Sequence, residues 1–307
     1  MDPTLASRRA ALAARVVGRS RELDLVLAAV SAGRDLLLEG PPGTSKTTIL
    51  KAITESWGIP LLFVEGNAEL TPAKLIGHHN PARVLREDYS ADNFVAGPLV
   101  LAMERGGFLY IEELNRAPED TLNALLAAMA EREIEVPRVG RIHAAASFRV
   151  VASMNPFDNV GTTRISASFY DRLCRLAIGY QSAAEDEQIV ALRTGSVDAQ
   201  LVADAVALTR ATRDHPDVRQ GSSVRGAIDI VAVADSLADI RSGRGDGDRA
   251  VVVLDAALVA LSARLTLDEM SERTPEQVIH ELWEDHFVLR PQRAPAGAVR
   301  LDLPNPI

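Results

Sequence analysis

The sequence predicts an α/β domain on a five-stranded parallel sheet, followed by an all-α domain, and three observations carry that expectation. Five short apolar runs, at residues 35–39, 61–64, 108–111, 148–153 and 176–178, alternate with helical patterns. A Gly/Pro-rich loop joins the first run to a helix, as in sheets that hold ligands at the C-terminal ends of their strands. Beyond about residue 181 the chain changes to alanine-rich helical patterns.

Taken in order, residues 1–16 pattern as an amphipathic helix, and Val16, Val17, Gly18 and Arg19 lead into a second helix over 22–31, a leader expected to pack beside a nucleotide base. The first strand feeds Gly40, Pro41, Pro42, Gly43, Thr44 and Ser45, and a helix then runs from Lys46 to about Trp57, closed by Gly58. After the second strand, Thr71 and Pro72 start a short helix. Residues 77–97 are too polar and irregular for core and read as an insertion facing outward or toward a pore. A helix over 98–105 precedes the third strand, which ends in Glu112 and Glu113. In the helix over 118–131, Leu122, Leu125, Leu126 and Met129 form a core-facing stripe. Residues 135–142 suggest a hairpin, the fourth strand ends at Met154, Asn155 and Pro156, and Cys174 is expected in the core beside the fifth. Helices follow over 184–194, 198–213, 223–239, 249–264 and 274–286, with a glycine-rich turn at 242–247. The expected divisions are 1–180, a helical lid at 181–290 and an extended tail at 291–307.

The loop is a phosphate cradle. Its glycines let successive N–H groups converge on anionic oxygens at the positive end of a helix dipole. Lys46 is placed to reach the β- and γ-phosphates, Thr47 to offer its hydroxyl to Mg²⁺, and Thr48 completes the nucleotide-binding run. Ser45 stands where G-x-x-x-x-G-K-[ST] has its second glycine, and because serine tolerates positive φ poorly, a slightly reshaped loop is expected. The acids after the third strand complete the constellation: Glu112 near a Mg²⁺-bound water, and Glu113 where it can orient an attacking water, as ATP hydrolysis requires.

Composition bounds the alternatives. With 307 residues, 47% apolar, the chain can bury a sizeable core, and no apolar run approaches a membrane span or a secretory signal, so a cytoplasmic location is expected. A single cysteine excludes an internal disulfide, and the six histidines have no metal-ligand spacing. A net charge of −9 argues against a protein that wraps nucleic acid.

The loop GPPGTSKT, the run YIEELNRAPEDTLNALLAAMAEREI, the segment SMNPFDNVGTTRISASFYDRL and the later GSSVRGAID together resemble the MoxR branch of the AAA+ ATPases, over roughly residues 15–290. The resemblance implies an AAA+ core with Lys46 and Thr47 in Walker A, Glu112 and Glu113 in Walker B, and Asn155 as sensor. It implies Arg172 as arginine finger, with Arg164 the next candidate, and Arg225 as the lid arginine, in a helix capped by Ser222 or Ser223. Arg116 reads either as an intersubunit contact or as a surface arginine. Glu112 departs from the family's aspartate; one more methylene shifts the carboxylate by ~1.5 Å, so binding is expected to survive with slow turnover. The insertion and hairpin sit where helix-2-insert relatives carry extra elements. The family likeness further implies ATP and Mg²⁺, a hexameric ring of identical subunits, a chaperone-like action on an unknown client, and a partner with a von Willebrand factor A domain. The rival readings are a nucleic-acid-stimulated motor, for which Arg83, Arg86, Arg138 and Arg141 are the basic candidates, and a non-hydrolysing, nucleotide-stabilised scaffold.

Overall fold

Apolar residues on both faces of a short strand require cover on both sides, and the alternating helices supply it. In the protein's computed structural model, which describes residues 5–13, 15–87, 90–156, 161–241 and 248–289, the central strands are β1 (Leu36–Glu39), β2 (Leu61–Glu65), β3 (Phe108–Glu112), β4 (Arg149–Met154) and β5 (Cys174–Ala177). They pair in parallel in the order β2-β3-β4-β1-β5. Side chains alternate between two apolar layers. Leu37, Leu109, Ile111, Val150 and Ala152 pack with Leu99, Met103, Leu122 and Leu125 on one side. Leu36, Leu38, Phe108, Tyr110 and Val151 pack with Leu23, Leu27, Ile49 and Ile53 on the other.

The chain divides into two units, Met1–Gln181 and Ser182–Ile307. In the first, the helix Lys46–Trp57 ends on Gly58 in the left-handed region, and Thr71 caps Pro72–Ile76 through the Lys74 N–H. The hairpin forms between Glu133–Val136 and Gly140–His143. Two expectations change. The described residues within 77–97 are not irregular: Gly77–His79 pairs antiparallel with Phe94–Ala96, and Pro81–Glu87 is helical. Three-residue strands are too short to print a period in the sequence. Cys174 is exposed rather than core, because it begins β5, which forms one edge of the sheet.

The second unit contains the helices Ala183–Thr194, Ala199–Asp214, Val224–Arg241, Arg249–Leu261 and Pro275–Glu284, with Val218–Gln220 pairing antiparallel to Thr266–Leu267. Ser182 with Glu185 and Thr274 with Gln277 form reciprocal capping boxes, and Asp198 accepts from the Gln200 and Leu201 N–H groups. Its core is aliphatic and alanine-rich, with Val206, Ile230, Val231, Val253 and Ala257 buried. The glycine-rich turn at 242–247 and the tail from Pro291 lie outside the described residues.

Candidate nucleotide site

The loop begins where β1 ends. A Cβ on Gly40 would lie 2.0 Å from the Ile178 carbonyl oxygen, so no other residue fits there. Gly43 at φ 74° and Ser45 at φ 68° are both left-handed. Ser45 therefore sits in the left-handed region that glycine takes without cost, and the strain in this residue is about 1–2 kcal/mol. Thr44 is buried and donates to the Pro41 carbonyl at 2.9 Å. The Lys46 ammonium donates to the Gly40 and Pro41 carbonyls, each at 2.8 Å, which centres it in the loop. Pro42 and Thr48 are exposed, and Thr47 is half-buried.

The acids meet the loop across the sheet. The Thr47 hydroxyl donates to Glu112 Oε1 at 3.1 Å, so the longer carboxylate still reaches the first turn of the helix. The Tyr110 hydroxyl lies 3.2 Å from Thr47 Oγ1 and 2.9 Å from Ser153 Oγ. Burial pushes the Tyr110 phenol up to about 12, keeping it protonated at neutral pH. Glu113 is left-handed, at φ 54° and ψ 46°, and opens the turn Leu114–Arg116. A non-glycine residue held there stores on the order of 1 kcal/mol of strain, a feature that clusters at active sites. Its carboxylate pairs with Arg116 Nε at 3.1 Å, so Arg116 is a neighbour of Glu113 within its own chain.

Asn155 follows β4, and its carbonyl accepts from the Asn115 side-chain amide at 3.4 Å, tying the end of β4 to the turn after Glu113. The Asn115 carbonyl in turn accepts from the Thr163 N–H at 2.5 Å, which sets Arg164 beside the same turn. Arg172 is elsewhere. It precedes β5, donates to the Ser168 carbonyl at 2.9 Å, and lines a cleft of about 830 Å³ with Arg34, Asp35, Arg132 and Arg149 at the N-terminal ends of the strands. Parallel strands of this length separate that end from the phosphate loop by roughly 13–20 Å. Thr47 and Glu112 thus meet beside the loop that holds Lys46, with Glu113 next in the chain, whereas Arg172 does not join them.

The leader is locked to the chain after β5. Gln181 donates to the Val17 carbonyl at 2.7 Å, and Gly18 and Arg19 turn through the left-handed region. The buried Arg19 guanidinium donates to the Gly179 carbonyl at 2.6 Å and pairs with Glu22 at 3.0 Å. Sequence reasoning gave no site role to Arg19, Gly179, Gln181, Tyr110 or Ser153; the one visible signal was a hydroxyl-bearing side chain, Tyr110, within the apolar third strand. In the second unit Arg225 is exposed in the first turn of Val224–Arg241, and Ser223, not Ser222, accepts from its N–H, at 3.4 Å. Arg141 lies between Glu133 at 3.3 Å and Glu135 at 3.5 Å, which compensates one of the four basic candidates for a nucleic-acid stripe.

Among the described residues no group of three or more His, Cys, Asp or Glu side chains could cage a metal. The hydroxyl and carboxylate of Thr47 and Glu112 instead form a hard-oxygen pair, which fits Mg²⁺, an ion that takes its other ligands from phosphate and water. No helix among these residues is long and apolar enough to cross a membrane.

A model of the AAA domain (dynein-related subfamily) matches residues 35–173. The denitrification regulatory protein NirQ of Stutzerimonas stutzeri is 30% identical over 198 residues, 63% of this chain and 69% of that protein. The chaperone MoxR1 of Mycobacterium tuberculosis is 27% identical over 303 residues, 87% and 78% of the two chains. The gas vesicle ATPase GvpN of Ancylobacter aquaticus is 27% identical over 223 residues, and the chain spans 62% of its length. Among solved structures, RuvB of Thermotoga maritima superposes with a TM-score of 0.52 at 17% identity, over 84% of this chain and 73% of that one. A chain from Cytophaga hutchinsonii gives 0.51 at 20%, over 91% and 92%. At these identities the superpositions speak to the fold alone.

Proposed function

The chain belongs to the MoxR family of AAA+ ATPases, and from that premise we propose that it is a Mg²⁺-dependent ATP hydrolase that assembles as a hexameric ring and remodels or activates a partner protein. The observation that carries this reading is the convergence of Lys46, Thr47 and Glu112 at the ends of β1 and β3, with Glu113 next to them. Lys46 exchanges its loop carbonyls for the β- and γ-phosphate oxygens, while the loop N–H groups cradle the rest. Glu113 orients a water in line with the γ-phosphorus; that oxygen bonds to phosphorus as the bond to the ADP oxygen breaks, giving ADP and phosphate. Thr47 and Glu112 would hold Mg²⁺, which would supply charge neutralisation to the phosphates. Asn155 bounds the water's side of the site from the end of β4.

Arg172 lies at the opposite end of the sheet from its own loop, which favours a role in the neighbouring subunit's site, where its guanidinium stabilises transition-state charge. Arg164, beside the turn after Glu113, is less suited to act across an interface. Arg225 reads the nucleotide from the lid. Val17 and Gly18, held to Gln181 and Gly179 through Val17 and Arg19, form the wall for the base. The chaperone-like role follows the family likeness and the similarity to the chaperone MoxR1, and the von Willebrand factor A domain partner follows the family likeness alone.

Glu113→Gln tests the reading: ATP binding is expected to persist while turnover falls by about 10²–10⁴-fold, and undiminished turnover would sink the assignment. Wild-type turnover per protomer is expected to rise with protein concentration and then level off, as sites are completed between subunits.

A further inference from the structure

Tyr110 is the one polar side chain inside β3 that the hydrolytic roles leave unused. It is fully buried, on the sheet face that packs against the helix Lys46–Trp57. Its hydroxyl meets three elements at once: Thr47 Oγ1 at 3.2 Å in the first turn of that helix, Ser153 Oγ at 2.9 Å on β4, and Glu112 Oε1 at 3.5 Å on its own strand. Residues 110 and 112 share a face of the strand, so the phenol stands directly below the carboxylate.

Each hydroxyl has one proton. Thr47 gives its proton to Glu112 at 3.1 Å, so the contact with Tyr110 uses the phenol's proton and leaves one Thr47 lone pair unused. Ser153 then donates to Tyr110, and the 3.5 Å approach to Glu112 is too long to compete. The result is a directed chain from β4 through the phenol and Thr47 to the carboxylate.

We propose that Tyr110 is a positioning residue for Mg²⁺·ATP, its phenol fixing Thr47 so that the long Glu112 side chain is held in the place a shorter aspartate would occupy unaided. This rests on the reading of Thr47 and Glu112 as the magnesium pair. The phenol acts through Thr47, whose second lone pair it leaves for the ion.

The test is the affinity of the full chain for ATP by titration calorimetry, with Mg²⁺ and with excess EDTA. In wild type, Mg²⁺ is expected to tighten binding. For Tyr110→Phe, affinity in EDTA is expected within twofold of wild type, while the Mg²⁺-dependent gain falls about fivefold. In a Glu112→Asp background the same substitution is expected to change that gain by less than twofold. Ser153→Ala, at the far end of the chain of hydroxyls, is expected to lower the gain in the same direction. Equal losses in EDTA and Mg²⁺ would mean that the phenol only supports the fold and would overturn the proposal. So would an unchanged gain in Tyr110→Phe, or an equal loss in both backgrounds. A wild type that binds ATP with no Mg²⁺ gain overturns the underlying reading as well, and is told apart from the other failures by that control.

Discussion

Replacing Ser45 by glycine should stabilise the protein without weakening its grip on nucleotide. Ser45 is held at φ 68° and ψ 16°, and its side chain makes no capping hydrogen bond that the change would remove. The left-handed conformation costs an L-residue about 1–2 kcal/mol, against which glycine gives back roughly 0.4–1 kcal/mol through the greater freedom of its unfolded chain. The net expectation is a gain of ~0.5–1 kcal/mol. Only two tryptophans are present, Trp57 at the end of the helix that Ser45 opens and Trp283 in the second unit, so Trp283→Phe leaves a reporter for the first unit alone. In that background the urea midpoint should rise by about 0.3 M with unchanged slope. Ser45→Ala retains the backbone penalty and should stay within ~0.5 kcal/mol of wild type. A midpoint that falls or stays put in Ser45→Gly, or an equal rise in Ser45→Ala, would refute the argument from φ.

Three further outcomes follow from the geometry. Gly40→Ala drives a methyl group onto the Ile178 carbonyl and should cost at least ~1–3 kcal/mol in the same fluorescence titration, with loss of ATP binding. Arg172→Ala should bind ATP yet turn over roughly 10³-fold more slowly, Arg164→Ala should change little, and mixing Arg172→Ala with Glu113→Gln subunits should restore part of the activity if the arginine acts across an interface. The Leu201 N–H holds the Asp198 carboxyl below its ordinary value, with Arg249 adding to the effect. That contribution is present above the ordinary carboxylate range and lost as pH falls through the depressed value. Asp198→Ala should therefore cost about 1 kcal/mol at neutral pH, and the gap between thermal melts of variant and wild type should close in acid.

The central sheet was legible because strands covered on both faces print as apolar runs, and the helix Lys46–Trp57 because a loop and Gly58 punctuate it. Edge strands are covered less completely: β5 begins at an exposed cysteine, so its start was read two residues late and Cys174 was assigned to the core. Glu112 and Glu113 showed as acids after an apolar strand, but the left-handed backbone of Glu113 and its pairing with Arg116 left no trace in residue types. Contacts between residues far apart in sequence were invisible for the same reason. Nothing in Val17 or Gln181 announces that one carbonyl meets the other's amide, 164 residues away. The positions of Arg164 and Arg172 at opposite ends of the sheet required the strand direction, which motif order alone does not supply.

The strand order also governs how the chain can be made. β1 pairs with β4 and β5, both of which come after it, and the Asp35 carboxylate accepts from Val150, 115 residues downstream. At about 5–20 residues per second of synthesis, Leu36, Leu37 and Leu38 therefore wait on the order of ten seconds with neither neighbour in existence. Throughout that interval the phosphate loop has no strand to anchor it, and three consecutive leucines stand at an unpaired edge open to other nascent chains. The first unit is thus closed by its last strand, and nucleotide can act as a folding ligand only after residue 177 has left the ribosome.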